Sequence, residues 1–166
     1  MPSRDTILEN IRRATAGIDD KIPHPDFDDS LLHAAPRLDG KDPVELFRRN
    51  FAAVNGRTMT SLDELGAFLK EQKARHGFCD AALFESIGRP LFDQGFGIDT
   101  LFDRERYDRY QFGITRATAA IAESGSLVID DHNTADRLAA LAPWIHVAAL
   151  GPATIVRTMD AVTVDG

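Results

Sequence analysis

Between residues 110 and 150 short apolar runs alternate with helix-forming stretches, and this alternation restricts the fold more than any other feature of the chain. Residues 112–115, 126–129 and 145–150 read as strands, while the Ala-rich residues 117–122 and residues 134–142 read as helices. A β-α-β-α-β order of this kind closes into an α/β fold, an open, mostly parallel sheet flanked by helices. Such sheets take ligands at the carboxyl ends of their strands, where loops meet helix N-termini.

The first half reads as helices punctuated by caps. Thr6-Ile7-Leu8-Glu9 fits a capping box and predicts a helix to Thr15, ended by Gly17, whose stripe of Ile7, Leu8 and Ile11 docks by one face. Residues 18–39 hold Pro23, Pro25 and Pro36 with little periodicity, which predicts an extended connector. Asp42-Pro43-Val44-Glu45 starts a second helix with Asp as cap and Pro at the first helical position. Phe47, Phe51 and Val54 are spaced to face a core, and Asn55-Gly56 stops this helix. Ser61-Leu62-Asp63-Glu64 is a further capping box, with Leu62, Leu65, Phe68 and Leu69 on one face and Gly77 as the expected end. Residues 80–84 read as a short buried strand, residues 98–102 as a weaker one, and Asp103 as the cap of a short helix reaching Tyr110. The division expected is residues 1–40, an N-terminal helix and connector, and residues 41–166, the α/β domain.

Composition narrows the function. Nineteen Lys and Arg against 26 Asp and Glu give a net charge of −7, which repels nucleic acid and anionic lipid, so neither is an expected partner. The single cysteine, Cys79, makes no internal disulfide and supplies too few thiolates for a zinc or iron-sulfur site; beside an apolar run it reads as a buried, inert thiol. No bound metal is expected, and without a Gly-x-Gly-x-x-Gly turn no nucleotide cofactor either. The N-terminal residues contain no apolar run of signal-peptide length, and no window has the apolar length of a membrane span, so a soluble, cytoplasmic protein is expected.

Gly113-Ile114-Thr115-Arg116-Ala117-Thr118-Ala119-Ala120-Ile121-Ala122-Glu123-Ser124-Gly125-Ser126-Leu127-Val128, followed by Arg137, Pro143 and Ile145-His146-Val147, resembles the LUD-domain family of lactate-utilisation proteins, most closely its C-type subunit. The likeness lies in a Gly-hydrophobic-Thr turn, an Ala-rich segment, an acidic-x-Gly-Ser turn into a strand, and an Arg six residues before a Pro that precedes a His. The resemblance implies a fold like that of the ribose-phosphate isomerases and CoA transferases. It also implies a part in oxidising L-lactate to pyruvate beside iron-sulfur and cysteine-rich partner subunits. Thr118 stands where the family usually has an acidic residue. The family's later Gly-Pro-Ser-x-Thr-x-Asp-Ile-Glu loop and Gly-x-His-Gly-Pro strand end have no counterpart, so a domain truncated at its C-terminus relative to the family is expected.

Candidate site residues follow, each with a plainer alternative. Glu123 precedes Ser124, Gly125 and Ser126, so a carboxylate stands beside a turn with free N–H groups; it is similar to the Glu-x-Gly turn of CoA transferases. It acts as nucleophile or base, or it fixes the turn. Thr115 and Arg116 sit where a strand hands over to a helix, suiting an anion, or they are a cap and a surface cation. Gly113 and Gly125 answer backbone geometry within such a site. Arg137 binds a substrate carboxylate or pairs with Asp130, Asp131 or Asp136, and His146 is a base or ligand or a satisfied core histidine. His132 and Asn133 read as loop and capping residues.

The function expected is a non-redox component of an L-lactate oxidising assembly. Its rivals are a free-standing enzyme of the CoA-transferase or sugar-phosphate-isomerase type acting through Glu123, and an interaction module without chemistry. A parallel sheet needs its edges covered. Residues 154–164 are therefore expected to cover one, or two chains to join there as a homo-oligomer.

Overall fold

The computed structural model describes residues 3–18, 42–130 and 137–162. The chain divides into two compact units, Met1–Ala34 and Ala35–Gly166. In the first, helix α1 covers Arg4–Thr15, and its cap is Ser3, whose side chain accepts from the Thr6 N–H (3.3 Å). The helix thus begins before the expected Thr6 cap, because Ser3 already meets a free N–H and Asp5 then favours the first turn. None of its residues is buried, and Ile7, Leu8 and Ile11 are exposed. The expected connector lies almost wholly outside the described residues.

In the second unit Asp42 caps helix α2, Pro43–Ala53, by accepting from the Val44 N–H (3.2 Å). Leu46 and Phe47 are its buried residues, and Phe51 stacks on Phe47 with centroids 5.1 Å apart. Val54 follows the helix end and is exposed, so the apolar stripe stops a turn earlier than its spacing suggested. Helix α3, Leu62–Glu71, is capped by Ser61, which accepts from the Glu64 N–H, while the Glu64 carboxylate reaches back to the Thr60 N–H (3.0 Å). The chain turns after it at Lys73, in the left-handed region (φ 57°), and not at Gly77. Gly77 is instead inside a strand, where a Cβ would overlap the Phe112 ring.

The main sheet is four-stranded and parallel, in the order β2-β1-β3-β6, with β1 His76–Cys79, β2 Gly97–Asp99, β3 Phe112–Arg116 and β6 Ile145–Ala149. On one face Cys79, Phe112 and Ile114 pack with Leu65 and Leu69 of α3 and with Leu83, Leu91 and Phe96. On the other, Phe78 and Tyr110 pack with Ala139 of helix α5, Leu138–Leu141. This is the expected α/β class, with strands buried on both faces.

Two expected elements differ. Residues 80–84 are not a strand: β1 ends at Cys79, and Asp80 accepts from the Ala82 N–H (3.1 Å) to start a 3-10 turn, Ala81–Leu83. A π turn, Phe84–Gly88, and helix α4, Arg89–Asp93, continue from it. An Asp that finds a free N–H two residues on turns the backbone more readily than it extends it. Residues 117–122 are not a helix. They carry β4, Ala119–Ile121, antiparallel to β5, Ser126–Val128, and parallel to β7, Ile155–Val156, in a second, three-stranded sheet. Alanine favours helix in isolation, but here Ala120 and Ala122 are fully buried against Leu46 and Phe47, and small side chains let α2 approach the strand. The β3-to-β6 connection therefore holds a hairpin before α5, and only the later part of the helix expected over residues 134–142 lies among the described residues.

Among the described residues the segment after β6 pairs elsewhere than at the edge of the main sheet, Ile155 and Val156 with Ala120 and Ile121. Residues 98–102 contribute only β2, and the helix expected from Asp103 is a 3-10 turn, Tyr107–Arg109. No helix among the described residues is long and apolar enough to cross a membrane.

Gly113 is where α5 meets β3, and a Cβ there would overlap the Ala139 carbonyl and press on Pro143. We expect Gly113→Ala to lower stability by about 1–3 kcal/mol, the usual cost of overpacking. Gly151→Ala, where a Cβ meets nothing within 4 Å, should stay within about 0.5 kcal/mol. Urea unfolding of both variants compares them.

Candidate functional site at the carboxyl end of the parallel sheet

Strands β1, β3 and β6 run parallel, so their carboxyl ends gather on one side of the sheet. The Asp80 N–H donates to the Ile114 carbonyl (2.9 Å), which carries the β1 end alongside Thr115. Among the described residues Asp80 and Thr115 are the buried polar or charged ones. A buried hydroxyl needs a partner, and Thr115 Oγ1 lies 2.8 Å from His146 Nε2. The register sets Gly113 opposite His146 and Thr115 opposite Ala148, so this contact runs diagonally between β3 and β6. Burial holds the His146 pKa below the ordinary imidazole value, which favours a neutral ring. A neutral imidazole has a ring nitrogen able to accept a proton, and the contact with the Thr115 hydroxyl fixes the orientation of the ring.

Polar groups flank this pair along the chain, and alternation in β3 sends the Arg116 side chain to the opposite face of the sheet from Thr115 and His146. Arg116 ends β3 at the surface, and Arg137 precedes α5. The Ala117 N–H donates to Ala149 O (2.9 Å), and the Thr118 N–H donates to Val128 O (2.8 Å), tying the β3 end to both sheets. The Thr118 hydroxyl donates to the Asp130 carboxylate. Asp131, Asp136, His132 and Asn133 lie outside the described residues.

Glu123, Ser124, Gly125 and Ser126 form the β4–β5 hairpin turn in the second sheet. Two of its N–H groups are engaged where free ones were expected: that of Glu123 donates to Arg157 O (3.0 Å) and that of Gly125 to Ile121 O (2.9 Å). The Glu123 carboxylate accepts from the Met159 N–H (3.2 Å), fastening the chain beyond β7 to the turn. Asn50 of α2 donates to both Ala122 O (2.8 Å) and Glu123 O (3.0 Å). Gly125 has φ 68°, and a Cβ there would lie 2.5 Å from Phe51 N, so glycine is needed for both conformation and close approach. Ser124 Oγ donates to Ser126 Oγ (2.9 Å), and a shallow cavity of about 400 Å³ is lined by Glu123, Ser124, Ser126 and Met159.

The expected site residues therefore fall in two places. Thr115, Arg116 and His146 belong to the parallel sheet, with Gly113 and Arg137 beside α5, while Glu123 to Ser126 belong to the hairpin. Asn50 had no sequence signal, because its partners lie 72 and 73 residues away. Cys79 is buried, and its thiol pKa is pushed up to about 11 by burial and then by the Asp80 charge, so it stays protonated. Among the described residues no group of three or more His, Cys, Asp or Glu is placed to hold a metal ion.

Two outcomes are expected. With the folded His146 pKa below the ordinary 6.5, the unfolded chain takes up this proton first as pH falls. Its contribution to stability is complete above 6.5 and is lost as pH drops from there toward the folded value. His146→Gln should flatten that part of the profile in urea unfolding at a series of pH values. At the hairpin, Glu123→Ala should cost about 1 kcal/mol by removing one acceptor, whereas Glu123→Gln, which keeps an acceptor, should cost less than about 0.5 kcal/mol. Faster hydrogen exchange at Met159 in the Ala variant alone would confirm it.

The LUD-domain family model matches residues 41–165. No curated protein and no solved structure matches the chain.

Proposed function

Because the chain belongs to the LUD-domain family, we propose that it is a lactate-utilisation protein of the C type, a non-redox component of an assembly that oxidises L-lactate to pyruvate. The observation that carries this reading is the Thr115–His146 pair at the carboxyl end of β3, on the face of the sheet that α5, preceded by Arg137, covers. Lactate offers a carboxylate, which suits a guanidinium, and a hydroxyl whose proton leaves on oxidation, which suits a neutral imidazole. Oxidation also breaks the C2–H bond, and in this reading its two electrons pass to iron-sulfur and cysteine-rich partner subunits while both protons go to solvent, the hydroxyl proton by way of His146.

The test is lactate-dependent dye reduction by those partner subunits with and without this chain. Its addition should raise the rate, and Arg137→Ala and His146→Gln should each lower that gain about tenfold or more, as expected for a lost charged or proton-transferring group. An unchanged rate on adding the chain would overturn the proposal.

A second reading, a free-standing CoA-transferase-like enzyme, draws on the cavity beside Glu123. It requires a thioester between CoA and Glu123, visible by mass spectrometry after incubation with an acyl-CoA and absent in Glu123→Gln. The bond from Glu123 to the Met159 N–H favours a holding role for this carboxylate instead.

A further inference from the structure

Strand β6 is an edge of the main sheet. The Ile145 N–H donates to Gln111 O (3.2 Å), and Ala149 O accepts from the Ala117 N–H (2.9 Å), so these residues turn their peptide groups toward β3 and its flanks. Alternate residues of a strand point their peptide groups to opposite edges. Those of His146 and Ala148, and of Leu150 just beyond the strand, therefore face outward, and among the described residues no backbone group pairs with them. They border a groove of about 540 Å³ whose walls include Met59, Leu62 and Trp144, with Arg57 as their one Lys, Arg, Asp or Glu. Trp144 is 98% exposed and Leu141 79%, which leaves the surface beside this edge apolar.

We propose that a second copy of this chain occupies this edge, with β6 pairing antiparallel to β6 about a two-fold axis through Ala148. The outward groups are self-complementary in that register: His146 faces Leu150 of the other copy, and Ala148 faces Ala148. An extended backbone supplies donors and acceptors at the repeat these groups require, which a small molecule does not. Charge selects the second copy. Two chains of net charge −7 repel wherever charged surfaces meet, yet residues 138–156 contain no Asp, Glu, Lys or Arg. Edge strands that avoid self-pairing usually carry a charge or a proline, and β6 carries neither. The pairing joins two four-stranded sheets into one continuous sheet and is independent of the function proposed above.

Sedimentation of the full chain across the micromolar range should show a monomer–dimer equilibrium. Ala148→Pro removes an outward N–H while leaving the bonds to β3, and should weaken association about tenfold or more. Ala148→Cys should form a reducible cross-linked dimer in air, because directly opposed, hydrogen-bonded residues have Cα atoms about 5.5 Å apart, within disulfide reach. Cys79 is buried and does not compete. If Ala148→Pro fails to fold, judged by circular dichroism, the cross-link decides alone. A chain that stays monomeric while Ala148→Cys remains uncross-linked overturns the proposal. So does a dimer that Ala148→Pro leaves intact and Ala148→Cys does not cross-link. A monomer that instead captures an added extended apolar peptide at this edge also overturns it.

Discussion

The structure depends on β3 being held between β1 and β6 in parallel register. Phe112, Ile114 and Thr115 are all fully buried there, and each serves a different neighbour. Phe112 and Ile114 fill the core beneath α3 and α4, each worth about 1.5–3 kcal/mol of burial. Gly113, facing the other way, lets the α5 backbone come close enough for Ala139 to pack with Phe78 and Tyr110. Thr115 takes a hydroxyl into this buried region, and that hydroxyl needs the His146 ring across the sheet. One short strand thus sets the core, the helix approach and the polar pair.

The second sheet extends this arrangement. Strand β4 follows β3 after Ala117 and Thr118, both fastened by backbone bonds, so the hairpin is fixed relative to the main sheet. Helix α2 then closes over it through Leu46, Phe47 and the amide of Asn50. Glycine at 125 is required because Phe51 backbone atoms stand where a side chain would be. The Glu123 carboxylate joins the strap beyond β7 to the same turn. A carboxylate engaged in this way orders a surface, which is a different task from attacking a substrate.

The sheet's chemistry and its packing share the same residues. Burial lowers the His146 pKa and so favours the neutral ring, and His146 is half-buried because β6 carries it beside β3. The same strand leaves its outward peptide groups at an edge without charge, so the position that tunes the imidazole also adjoins the surface most suited to another backbone. A change in how that edge is covered would alter the solvation of the ring.

Much of the frame was legible from local chemistry. Asp42 and Ser61 announced their helices because a cap is satisfied within a few residues, residues 112–115 announced a strand because burial on both faces demands a continuous apolar run, and residues 145–150 did so by a similar run although that strand is only partly buried. The likeness to the LUD-domain family was legible for the same reason: its motifs are contiguous. Tertiary structure decided the rest. The alanines of residues 117–122 make a helix by propensity and a strand by burial against α2. Asp80 ends a strand because a free N–H lies two residues on. The candidate site also divided in two, since the pairing of Thr115 with His146 and of Glu123 with Met159 joins residues far apart in sequence. Local propensity is worth a few tenths of a kcal/mol per residue, whereas burying a side chain or satisfying a buried hydroxyl is worth one or more, roughly, so where the two conflict the packing prevails.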